Sequence, residues 1–106
     1  MAVDLRKQRV LVALFVMEGC GACDEFKPRF DKISAPYAAA GIPIVVYDAQ
    51  SEAPDLVAFM DRYGVTATPT MLILKRGPGS IRVDGSVDDA QIRQAFEIAH
   101  RVHRGG

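Results

Sequence analysis

The chain has 106 residues, 49% of them apolar, with 13 basic and 13 acidic side chains and no net charge. That length suits one domain spanning residues 1–106, with a core covered on two sides. Balanced charge argues against nucleic acid or an anionic membrane as partner, and no low-complexity tract, repeat or linker divides the chain.

Arg6, Lys7 and Arg9 precede an apolar run, Val10–Met17, much as a secretory leader begins. No small-residue cleavage site follows, and Glu18-Gly19-Cys20 comes at once. The run is also far short of the ~20 residues that a membrane span needs. It reads as a buried strand, and the expected location is the cytoplasm, with no membrane partner. Both alternating faces of Arg9–Met17 are apolar: Val10, Val12, Leu14 and Val16 on one, Leu11, Ala13, Phe15 and Met17 on the other. A strand buried on both faces lies centrally, with helices above and below.

Cys20-Gly21-Ala22-Cys23 follows, and the period changes to helical. A helix N-terminus carries partial positive charge and unpaired N–H groups, which favour a thiolate at the first cysteine. The second lies one turn on, on the same face, within the Cα separation that a disulfide tolerates. These are the two cysteines of the chain, so they form no structural disulfide framework. A four-ligand zinc site needs two more ligands. The two histidines, His100 and His103, fall on a distant helix, where the helix C-terminus favours them as solvated residues. A redox pair is the expected reading, without metal or other cofactor.

Phe26, Phe30, Ile33 and Tyr37 continue the helix, which Pro28 should kink and Pro36 should end or bend. A second strand, Ile42–Tyr47, is entered through Gly41. Pro54 suits a first helical position, and Leu56, Val57, Phe59, Met60 and Tyr63 form an apolar stripe that stops at Gly64. Thr70–Lys75 reads as a third strand, Arg76-Gly77-Pro78-Gly79 as a turn, and Ser80–Val83 as an edge strand. Asp88 and Gln91 make a capping box before a helix whose buried stripe is Ile92, Ala95, Phe96, Ala99 and Val102. Phe26, Phe30, Phe59, Phe96 and Tyr63 are expected in the core. The order is β-α-β-α-β-β-α. A parallel first pair with a right-handed crossover and an antiparallel closing hairpin make the sheet mixed, in the order second, first, third, fourth strand.

This arrangement resembles the thioredoxin superfamily from about Arg9 to Val102. Phe15 stands five residues before Cys20, Pro28 five after Cys23, and Tyr63-Gly64-Val65 leads into Thr68-Pro69-Thr70, similar to the segment around that family's cis-proline. Gly85 matches a glycine usual before the last helix. The chain departs from the family's Trp-Cys-Gly-Pro-Cys-Lys: it reads Gly19-Cys20-Gly21-Ala22-Cys23-Asp24 and has no tryptophan. Leu14 stands where thioredoxins bury an aspartate and Val46 where a lysine accompanies it, and the first eight residues are too few for the family's extra N-terminal strand and helix.

The resemblance implies a thioredoxin-like α/β fold with a four-stranded mixed sheet, and a thiol–disulfide oxidoreductase reducing protein disulfides. Cys20 would be the exposed nucleophile and Cys23 the resolving thiol. Thr68 and a cis-Pro69, with Gly21 and Ala22, would contact substrate, Thr68 by strand addition. Electrons would come from an upstream reductase or a thiol donor, and a monomer is expected. Without the aspartate, Cys23 would lose its proton unaided or through Glu18. Leu14 and Val46 should pack well in its place. Glu18, Asp24 and Glu25 would oppose the thiolate. The competing reading is a non-catalytic binding module or accessory subunit on the same fold.

Overall fold

The computed structural model describes residues 9–75, 80–84 and 87–105. Its centre is β1, Val10–Val16, six of whose seven residues are buried. β1 pairs in parallel with β2 (Ile44–Asp48) and antiparallel with β3 (Thr70–Lys75), and β3 pairs antiparallel with β4 (Ser80–Asp84). The sheet order is β2-β1-β3-β4. The helices are α1 (Gly21–Ala39), α2 (Pro54–Tyr63) and α3 (Asp89–His103). The element order and the strand order are those expected from sequence.

Alternation along β1 separates two layers. Val10, Val12 and Leu14 join Met71, Ile73 and Val83 beneath Phe26, Phe30 and Ile33 of α1 and Ile92, Ala95, Phe96 and Ala99 of α3. Leu11, Ala13 and Phe15 join Leu72, Leu74 and Leu56 of α2 on the other face, where Phe59 and Tyr63 are only half-buried.

The ends of the elements show where tertiary contacts override local signals. β1 stops at Val16, because its pairing with β3 ends at Phe15 opposite Thr70 and that with β2 at Val16 opposite Asp48. Met17, expected on the buried second face, is instead 37% exposed. β2 begins at Ile44, after Gly41 at φ 93° and Pro43, whose carbonyl accepts the Val12 N–H. Ile42 is buried ahead of it. α1 runs through both prolines to Ala39. Phe30 and Tyr37 flank Pro36 and both pack on Phe96, with ring centroids 5.7 and 5.0 Å away. That contact on both sides of the proline carries the helix past it. The Asp88–Gln91 capping box is formed, and α2 ends at Gly64 in the left-handed conformation.

Val46 overturns another expectation. It lies beside Leu14 in register, yet it is 45% exposed while Leu14 is fully buried. β2 is the outer strand, and its residues are covered less completely than those of β1. His100 is half-buried, its ring edge-on to Tyr37 at 5.8 Å, so it packs rather than standing in solvent. The expected turn Arg76–Gly79, Gly85, and the basic Arg6 and Lys7 lie outside the described residues.

Substitution separates these environments. Phe96→Ala removes the ring shared by Phe30 and Tyr37 and is expected to cost roughly 3–5 kcal/mol in urea unfolding. Val46→Thr, at an exposed edge, is expected to change stability by less than about 0.5 kcal/mol. Equal costs would mean that β2 is covered in solution.

Tyr37 supplies a pH test. Its hydroxyl donates to Glu97, and burial first, then that carboxylate, pushes its pKa from 10.0 up to about 12. Above pH 10.0 the unfolded chain releases a proton that the folded chain holds to about 12, so stability falls as pH rises through this window. Tyr37→Phe is expected to flatten that part of the stability–pH curve, measured by chemical denaturation. An unchanged slope would assign the loss to other groups.

Candidate active site

The chain leaves β1 through Glu18 and Gly19 and enters α1 at Cys20. Gly19 has φ 75°, a left-handed turn that favours glycine. A Cβ built at Gly19 or at Gly21 meets nothing within 4 Å, so the chain is open on both sides of Cys20. Cys20 is the N-cap of α1: its carbonyl accepts the Asp24 N–H at 3.0 Å, and its Sγ accepts the Cys23 N–H at 3.0 Å. A sulfur thus takes the place that a serine or aspartate oxygen fills at an ordinary helix start.

Cys20 and Cys23 form a disulfide, with Cα atoms 5.2 Å apart and a dihedral angle of 76°. Cys20 is 9% exposed and Cys23 4%, the latter one turn inside the helix. The segment before β3 closes over the first sulfur. The Thr68–Pro69 peptide bond is cis, and Pro69 is buried. Thr68 Oγ1 donates to Cys20 Sγ at 3.4 Å, and the Thr68 carbonyl oxygen lies 3.7 Å from the same sulfur. Thr70 Oγ1 anchors the segment by donating to the Ala67 carbonyl at 2.8 Å.

Of the residues expected at the site, Cys20, Cys23 and Thr68 are in contact, and Gly21, Ala22 and Pro69 adjoin them in the chain. Glu18 is exposed in the turn, and among the described residues no hydrogen bond joins it to either cysteine. Glu25 does not stand as a free charge. Arg29 binds it at 2.9 Å, and also binds Asp89 at 3.0 Å and the Val87 carbonyl at 2.9 Å. Glu25 first, then Asp89, raise the pKa of that guanidinium further. This bridge ties the first turns of α1 to the start of α3. No local pattern signals it, because 60 residues separate Arg29 from Asp89. The hydroxyl contact of Thr68 has no local signal either, because 48 residues separate it from Cys20. Among the described residues no group of three or more His, Cys, Asp or Glu side chains is placed to hold a metal, and no helix is long and apolar enough to cross a membrane.

A disulfide capping a helix at the end of a central strand, against the proline-led start of the neighbouring strand, defines a thioredoxin-fold redox site. The thioredoxin family model matches residues 2–97, and the chain belongs to the thioredoxin family. It is 26% identical over 112 residues to protein disulfide isomerase-like 1-2 of Oryza sativa subsp. japonica, covering 91% of this chain and 22% of that protein. It is 37% identical over 65 residues to protein disulfide-isomerase A4 of Bos taurus, covering 59% of this chain and 10% of that one. The chain therefore spans a small part of either relative. Among solved structures, thioredoxin of Fasciola hepatica superposes with a TM-score of 0.68 at 22% identity, over 88% of this chain and 83% of that one.

Thr68 offers a test of the sulfur's surroundings. In the reduced protein a Cys20 thiolate would accept from the Cys23 N–H and the Thr68 hydroxyl, and hydrogen bonds to the charged form favour it. Thr68→Val is expected to raise the Cys20 thiol pKa and slow alkylation near neutral pH by roughly three- to tenfold, the scale of one such bond. The pH dependence of iodoacetamide labelling measures this. An unchanged profile would mean that the hydroxyl bonds elsewhere once the pair is reduced.

Proposed function

We propose that this chain, as a monomeric single domain in the cytoplasm, reduces protein disulfides through the Cys20–Cys23 pair. The observation that carries the reading is the Cys20 sulfur, held by two donors at a helix start and bordered by open space at Gly19 and Gly21. The names of the two curated relatives, both disulfide isomerases, support protein disulfides as the substrate class.

The reaction starts from the dithiol. The Cys20 thiolate attacks one substrate sulfur, which forms a mixed disulfide and releases the other as a thiolate that takes up a proton. Cys23 then loses its proton and attacks the Cys20 sulfur. The substrate leaves fully reduced, and the Cys20–Cys23 disulfide carries the two electrons' worth of oxidation. An external thiol donor or a reductase returns the pair to the dithiol, with no cofactor or metal held by the chain. Thr68 and the adjoining Pro69 receive the extended substrate segment, while Gly21 and Ala22 leave room beside Cys20. Leu14 is fully buried and has no proton to exchange, so Cys23 ionises with little help. Glu18 remains the nearest carboxylate in the chain on the strand side.

A binding module without redox turnover is the second reading, favoured by apolar Leu14 and Val46 in place of ionisable residues. Insulin reduction with dithiothreitol separates the two: the oxidoreductase accelerates precipitation of the insulin chains, and a binding module leaves the dithiothreitol background unchanged. Cys20→Ser is expected to return the rate to background. Cys23→Ser is expected to accumulate mixed disulfides on Cys20, visible by non-reducing electrophoresis; normal substrate release by that variant would overturn the resolving role.

Leu14→Asp tests proton removal. Wild-type reduction is expected to be slow near neutral pH and to rise toward alkaline pH as Cys23 ionises. The variant is expected to be faster near pH 7 and less stable by several kcal/mol, the scale of an unpaired buried carboxyl. A wild-type profile already flat from about pH 6 to 9, with no gain in the variant, would show that Cys23 ionisation does not limit the rate.

A further inference from the structure

A half-open cavity of about 240 Å³ adjoins Thr68, walled by Met17, Val57, Met60, Val65 and Thr68, with Asp61 at its edge. Met17 and Val57 are more than a third exposed, an unusual state for two large apolar side chains on one hollow. Neither Met17 nor Val57 is used by the redox chemistry or by the core. Among the described residues the Asp61 carboxylate has no hydrogen-bond or ion-pair partner. Arg62, next in the chain, stacks on the Tyr63 ring at 5.7 Å instead, and among the described residues no cation lines the cavity. Glu18, adjacent to Met17, is exposed and likewise has no partner among the described residues. The cavity therefore presents an apolar floor with negative charge at its edge.

The backbone beside it is open as well. The N–H groups of Thr66, Ala67 and Thr68 have no partner among the described residues, so an extended segment can pair there while one of its side chains enters the hollow. We infer that this cavity selects disulfide substrates carrying a lysine or arginine close to the attacked cysteine. Its aliphatic stem would cover Met17, Val57 and Met60, and its charged head would reach Asp61. A purely apolar side chain would fill the floor but leave the carboxylate unanswered, and an acidic one would face it directly. This inference rests on the oxidoreductase reading and adds a substrate preference to it.

The test uses disulfide-linked peptides that differ at one position near the cysteine, scanned as lysine, norleucine or glutamate. Reduction of 2-hydroxyethyl disulfide, small and neutral, is measured beside them. For the wild type the kcat/KM ratio of lysine to norleucine peptide is expected to be roughly two- to fivefold at the preferred position, the scale of a solvent-facing ion pair. It should shrink as salt is raised. Glutamate should be the poorest. The ratio is expected to fall to about one in Asp61→Asn and to invert in Asp61→Lys, as like charges meet. Equal wild-type rates for the three peptides, a preference for norleucine, or a lysine preference that survives Asp61→Asn would overturn the inference while leaving the reductase intact. Failure of the wild type to turn over even the small disulfide would instead remove the oxidoreductase reading, and the substrate preference with it.

Discussion

The whole arrangement depends on covering β1 from both sides. Its seven residues carry no charge and almost no exposed surface, and each buried side chain of this size is worth roughly 1.5–3 kcal/mol. Water cannot be kept from both faces unless strands flank it and helices lie above and below. β2 and β3 supply the flanks, α1 and α3 one cover, and α2 the other. The redox site follows from this constraint. A central strand delivers its C-terminal end to the middle of one edge of the sheet, and the helix that starts there must begin at Cys20.

Two neighbours of that strand end then decide what the sulfur meets. From one side comes α1, whose first turn supplies the Cys23 N–H. From the other comes the start of β3, opposite Phe15, which brings Thr68 against Cys20 from 48 positions away. The antiparallel β1–β3 register fixes that approach, so a shift in pairing would move Thr68 and leave Cys20 with only the helix. The core and the chemistry are linked through the backbone register rather than through a shared side chain.

The surface around the site divides in two. On the α3 side, the single guanidinium of Arg29 is shared by Glu25 and Asp89 and offsets part of the negative charge that would repel a thiolate. On the α2 side no cation among the described residues pairs with Asp61, and the apolar side chains of Met17 and Val57 stay open. A thiolate gains from the first arrangement, and a substrate can exploit the second.

Sequence alone determined the sheet order, the place of the helices and the closeness of the cysteine pair at a helix start, because each rests on local information. The doubly apolar run Val10–Val16, the change of period at Cys20, Gly64 and the Asp88–Gln91 box are read within a few residues of one another. What tertiary structure decided are the features that require distant groups to meet. Pro36 does not end α1, since Phe96 holds the residues on both sides of it. Val46 and Met17 are exposed because strand pairing and cover end where they do, which no apolar pattern announces. The Thr68 hydroxyl contact, the Arg29 bridge and the cavity beside Asp61 exist only once α1, α2, the start of α3 and the start of β3 meet around the end of β1. Periodicity says which face of an element is buried, whereas which side chains from other elements arrive at its end is set by pairing register and packing.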